Sequence, residues 1–159
     1  MTSYYSPPKA GDIVQCRFPQ DEVRQPGPKE RPALVVEVEE YEMPDGSIEV
    51  FVTVAYGTSE DVDNCHPGEL KIGSNDPHAG LGLDTKFDIG NRVKLPFDDE
   101  WFAPSPNKRF GGHPKRGILN TADDILKRRL SSAIAELKKA RPKTVDMTPR
   151  SAGRKKPKP

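Results

Sequence analysis

The sequence predicts a mainly β fold with one helix near the C-terminus, on three observations. Residues 48–55 (IEVFVTVA) set Ile48, Val50, Val52 and Val54 on one face and Glu49, Phe51, Thr53 and Ala55 on the other, the period of a strand. Seventeen prolines and 13 glycines in 159 residues demand short elements joined by many turns. Leu126, Leu130, Ala133, Ile134 and Leu137 recur at helical spacing, and no other segment shows that stripe.

Residues 11–18 (GDIVQCRF) put Val14, Cys16 and Phe18 on one face of a first strand, with Cys16 a small core filler. Residues 19–28 are polar and rich in Pro and Gly, a loop of the length that often carries function. Residues 32–38 (PALVVEV) form a second strand whose proline sits at its start, where a strand tolerates it. Pro44-Asp45-Gly46-Ser47 makes the turn into the third strand, because proline presets φ and glycine accepts positive φ. Residues 61–81 read as loop with a short strand at 70–72. Residues 85–95 (TKFDIGNRVKL) alternate Phe87 and Ile89, then Val93 and Leu95. Gly90 between them marks a bulge or a close backbone approach. Residues 96–114 are irregular and hold Trp101 and Phe102, read as packing residues; residues 117–119 suit a last short strand. Thr121 caps the helix, Asp123 and Asp124 complement its dipole, and Pro142 stops it. The whole is a small curled sheet of the SH3-like barrel type with one packing helix. Residues 1–9 are expected to be flexible, 10–140 to form the domain and 141–159 to be a disordered basic tail.

Composition narrows the function. There is no run of about 18 apolar residues, so no membrane span is expected, and residues 1–8 lack the features of a secretory signal. Two cysteines, Cys16 and Cys65, are too few for a disulfide scaffold and fit a reducing cytoplasm. Charge is lopsided: residues 1–100 hold 9 Lys/Arg against 20 Asp/Glu (net −11), and residues 101–159 hold 16 against 4 (net +12). Such asymmetry points to partners rather than to a fold. Residues 141–159 carry seven Lys/Arg, one Asp and four prolines, composition without a hydrophobic face. His66, His78 and His113 are far apart, and Cys65-His66 lacks metal-ligand spacing, so neither a metal nor a cofactor is expected. Gly80 to Gly82 is a loop signal without a nucleotide fingerprint.

Three strand ends hold the residues with chemistry. They are Pro28-Lys29-Glu30-Arg31-Pro32, then Val54-Ala55-Tyr56-Gly57-Thr58-Ser59, then Thr85-Lys86-Phe87-Asp88. On residues alone, Arg31 suits an ion pair with Glu30 or Glu37, Thr58-Ser59 suits a turn, and Lys86 with Asp88 suits a polar strand face. The order G-D-I-V, polar loop, R-P-A-L-V-V, V-A-x-x-T, later strand and C-terminal helix resembles the PemK/MazF-type toxins of bacterial toxin–antitoxin systems. The resemblance spans about residues 10–138 and is anchored by Gly11-Asp12, Arg31-Pro32 and Thr58. It implies a barrel of the kind shared with gyrase-poisoning CcdB-type toxins, a homodimer, an antitoxin partner and metal-independent cleavage of single-stranded RNA. It assigns Arg31 and Thr58 as the catalytic pair, with Ser59, Lys86 and Asp88 as further candidates. Arg24, Lys29, Arg31 and Lys86 are the expected RNA contacts. The chain departs from the pattern in having no histidine in the first long loop, which leaves the general base open. The competing reading is a non-catalytic barrel: a degenerate toxin, or a module that binds RNA or a protein such as gyrase.

Overall fold

The computed structural model describes residues 4–19, 26–139 and 143–146. Among the described residues seven strands are formed: β1 (Asp12–Cys16), β2 (Arg31–Glu42), β3 (Ile48–Thr58), β4 (Glu69–Ile72), β5 (Thr85–Pro96), β6 (Lys115–Ile118) and β7 (Lys143–Asp146). The helix α1 spans Asp124–Lys139. The strands pair antiparallel in the order β4-β5-β3-β2-β1-β6, and β7 joins β5 in parallel. The mainly β fold with one C-terminal helix therefore holds. Among the described residues the path ends at β4 and β6 and does not close, so this pairing alone makes an open sheet rather than a barrel.

Two cores explain the open sheet. Ile13, Leu34, Ala55, Phe87 and Ile89 pack with Leu126, Ala133 and Leu137 of α1. Val14, Cys16, Ala33, Val35, Val52 and Val54 pack instead with Phe97, Trp101 and Phe102. Sequence neighbours on one strand thus enter different cores, as alternation across a pleated sheet requires. Each face is covered by its own layer, which accounts for the continuous burial of β1. Trp101 and Phe102 are core residues, in line with the packing role expected of them.

β5 contains the bulge that Gly90 predicts. Its register with β3 passes from Ala55–Arg92 to Tyr56–Asp88, leaving residues 89–91 unmatched on that side. Three extra residues reverse the facing of the rest of the strand, so Phe87 and Ile89 enter one core while Val93 and Leu95 enter the other. Gly90 is also a close approach: a Cβ there would lie 2.6 Å from Leu137 Cδ2.

Several expectations need correction. The helix begins three residues later than Thr121. Its cap is Asp123, whose Oδ1 accepts from the Ile125 and Leu126 N–H groups at 2.9 and 3.4 Å. Ile134 is not part of the buried stripe but 44% exposed. Residues 4–9 make contacts with the sheet: Tyr5 N–H donates to the Phe97 carbonyl at 3.2 Å, and Lys9 N–H to Asp12 Oδ2 at 2.9 Å. Within the expected tail, Lys143–Asp146 is a strand beside Asn91–Lys94; the remainder of 141–159 lies outside the described residues. No described helix is long and apolar enough to cross a membrane.

Candidate functional site

β1, β2, β3 and β5 bring their ends to one cavity of about 670 Å³, within the roughly 300–1,000 Å³ usual for ligand sites. Its wall is set by Gly57. A Cβ at this position would lie 2.3 Å from the Pro32 carbonyl oxygen and 2.8 Å from the Phe87 ring, so only glycine lets β2 and β3 approach there. Arg31 and Thr58 lie just beyond that contact on their strands, and both line the cavity with Lys29 and Ser59. Two residues distant in sequence thus line one cavity.

The surroundings of Arg31 differ from those of a structural ion pair. Glu30 bonds to Arg17 at 3.3 Å, and Arg31 makes no salt bridge among the described residues. Thr58 Oγ1 accepts the Glu60 N–H at 3.1 Å, which fixes the side chain and leaves its own O–H to donate. Ser59, also on the cavity wall, is exposed.

Lys86 is not part of this site. Its backbone pairs with Thr58, but its buried amine donates to Glu69 Oε1 at 3.2 Å and to the Asn64 carbonyl at 3.0 Å. β4 is the cause: pairing on the far edge of β5 carries Glu69 to the amine, and a buried ammonium requires such partners. The expected RNA contact of Lys86 is thereby corrected to a structural ion pair. Asp88 also lies away from the cavity. Its Oδ1 accepts the Gly90 N–H at 3.2 Å within the bulge, and burial pushes its carboxyl above the ordinary value. Arg24 lies outside the described residues.

Arg116 is a cavity residue that sequence reasoning missed. It lies on β6, one residue before Gly117, inside a strand too short to show alternation. Its guanidinium is buried. Nη1 donates to Gln15 Oε1 at 2.6 Å and Nε to the Gly80 carbonyl at 3.2 Å. Burial pulls its pKa down from the usual arginine value. Gly80 makes this possible: with φ at +66°, it passes so close to β6 that a Cβ would lie 2.0 Å from the Arg116 carbonyl oxygen. The only sequence signal was the Lys115-Arg116-Gly117 run ahead of a short apolar pair.

A second cavity of about 650 Å³ lies beside the N-terminal segment, and several of its polar groups are engaged with one another. His113 Nε2 bonds the Ser6 carbonyl at 2.9 Å, His113 Nδ1 accepts the Lys115 N–H at 3.0 Å, and Lys115 pairs with Asp12 at 3.5 Å. No cluster of three metal-ligating side chains occurs among the described residues. Cys16 is buried and Cys65 exposed, both as free thiols. No family model matches the chain, and no curated protein matches it.

Proposed function

We propose that the chain is a metal-independent endoribonuclease of the PemK/MazF kind, which cuts single-stranded RNA in the cavity at the strand ends. One observation carries this reading: Arg31 and Thr58, from different strands, line a single open cavity, and Arg31 is not committed to a carboxylate among the described residues. The reading brings with it the SH3-like curl of the sheet, a homodimer and an antitoxin partner.

In the reaction the RNA 2′-oxygen attacks the adjacent phosphorus. The O2′–P bond forms, the P–O5′ bond breaks, and the products are a 2′,3′-cyclic phosphate and a 5′-hydroxyl. The 2′-OH proton goes to a base, and the departing 5′-oxygen takes one from an acid. Arg31, always charged and able to bind two oxygens at once, is suited to stabilise the pentacovalent phosphorane. Thr58 is suited to donate its O–H to the same phosphate, and Ser59 to share that task. Lys29, exposed on the rim, is suited to hold the strand's backbone.

The second reading, a non-catalytic module that binds RNA or a protein target, is favoured by the net −11 of residues 1–100, which works against RNA binding. Incubation with a long RNA in EDTA, followed by end mapping, separates the two. Cyclic phosphate on the 5′ fragments is expected. Arg31→Ala, with its circular dichroism unchanged, is expected to lose about 10²–10³-fold in cleavage rate. Growth arrest by a chain that cuts no RNA would favour a protein target instead.

A further inference from the structure

The cleavage reading makes no use of Arg116, the most deeply buried cation on the cavity wall. Its side chain sits in a residue only 8% exposed, yet its partners, Gln15 Oε1 and the Gly80 carbonyl, are both neutral. No carboxylate pairs with it among the described residues. A desolvated guanidinium without a counter-ion is a standing energetic cost, which a purely structural role would not require. The two acceptors fix its plane through Nε and Nη1. Nη2 makes no hydrogen bond among the described residues.

We infer that Arg116 is a preorganised anion-binding group, and that with Arg31 it holds a phosphodiester of the strand in the cavity. That the ligand is a strand rests on the RNA reading; that it is a phosphate-class anion rests on the geometry alone. A guanidinium held in one plane loses little entropy on binding, and Nη2, with the second N–H of Nη1, remains to donate to phosphate oxygens. The site is thus partly charged before any ligand arrives, and Gln15 is its positioning residue.

The test is calorimetric titration of the full chain with inorganic phosphate and, separately, with a short 2′-O-methyl oligonucleotide, which cannot be cut. Both are expected to bind. Arg116→Met is expected to weaken the oligonucleotide about tenfold or more, the loss of a charge-assisted bond. It should also flatten the salt dependence by about one phosphate contact. Arg116→Lys, which keeps the charge without the fork, should fall between. A folded Arg116→Met with unchanged affinity for both probes overturns the inference while leaving cleavage by Arg31 intact. Phosphate bound through Arg116 without any oligonucleotide binding would sink the RNA reading and keep the anion site. If Arg116→Met does not fold, Gln15→Ala carries the test. It releases Nη1 and should weaken both probes, and unchanged binding overturns the inference.

Discussion

Lys86 shows how a residue's partners decide its meaning. From sequence it is a cation two positions from Asp88; in the fold it is the buried partner of Glu69. Sequence could not show this, because Glu69 reaches it only through the pairing of β4 with β5. Lys86→Met should therefore cost about 3–5 kcal/mol, since the Glu69 carboxylate is left buried without its cation. Adding Glu69→Leu should recover part of that loss in denaturant titration. An active-site lysine would show the opposite pattern, with lost activity and intact stability. Asp98 gives a pH test. Burial among the residues of the second core pushes its carboxyl up to about 6, while Trp101 and Glu100 N–H groups partly offset this. Its folded pKa lies above the unfolded value, so the folded state binds the extra proton between about pH 4 and 6 and loses stability as pH rises through that window. Asp98→Asn keeps the acceptor oxygen and removes the charge. Its melting temperature is expected to exceed the parent's at pH 7.5, by a margin worth up to about 2–3 kcal/mol, and to match it below pH 4. Arg31 and Thr58 were singled out at this scale only through the order of short motifs, and both line the cavity; Arg116 lines it too but had no motif to single it out.

At the scale of elements, periodicity located β1, β2, β3, β5 and the helix, with displaced ends, whereas β4 and β6, four residues each, were placed only roughly as short strands. β2 runs on to Glu42, four residues past its apolar pattern, because cross-strand pairing with β3 continues regardless of side-chain type. β7 escaped notice for the same reason: four residues in a basic, Pro-rich segment show no alternation, and a parallel edge needs only backbone partners. The helix stripe included one residue too many. Leu126, Ala133 and Leu137 are buried, whereas Ile134 points away, and helical spacing alone does not define the width of the buried face. Leu137→Ala should cost about 2–4 kcal/mol, because its side chain packs in the first core and over Gly90. Ile134→Ser should change stability by about 0.5 kcal/mol or less. Chemical denaturation of the two variants side by side checks both.

For the molecule as a whole, the acidic and basic halves of the sequence are not separate bodies. β6, from the basic part, pairs with β1 of the acidic part and sends Arg116 into a cavity otherwise built by β1, β2, β3, β5 and the loop before β5. The charge asymmetry was plain in the sequence; the place where the two parts meet was not, since antiparallel pairing between β1 and β6 spans about a hundred residues. Whether the sheet closes was equally hidden, because alternation describes a strand's two faces and says nothing of which strand ends beside which. β7 ties the C-terminal region to the centre of the fold. Removal of residues 140–159 should therefore lower stability by on the order of 1–3 kcal/mol by exposing the β5 edge at Asn91–Lys94. An unchanged thermal melt would mean that β7 contributes nothing.

The bulge in β5 also restricts how the chain can change in length. A loop on the surface can gain or lose a residue with little effect, but a single deletion within residues 89–91 would exchange inside and outside for the rest of the strand. Val93 and Leu95 would be turned out of the core they share with Phe97, and Lys94 would be driven into it, away from Glu39. This stretch behaves like a reading frame of two: losses in pairs preserve the facing, and a loss of one scrambles it.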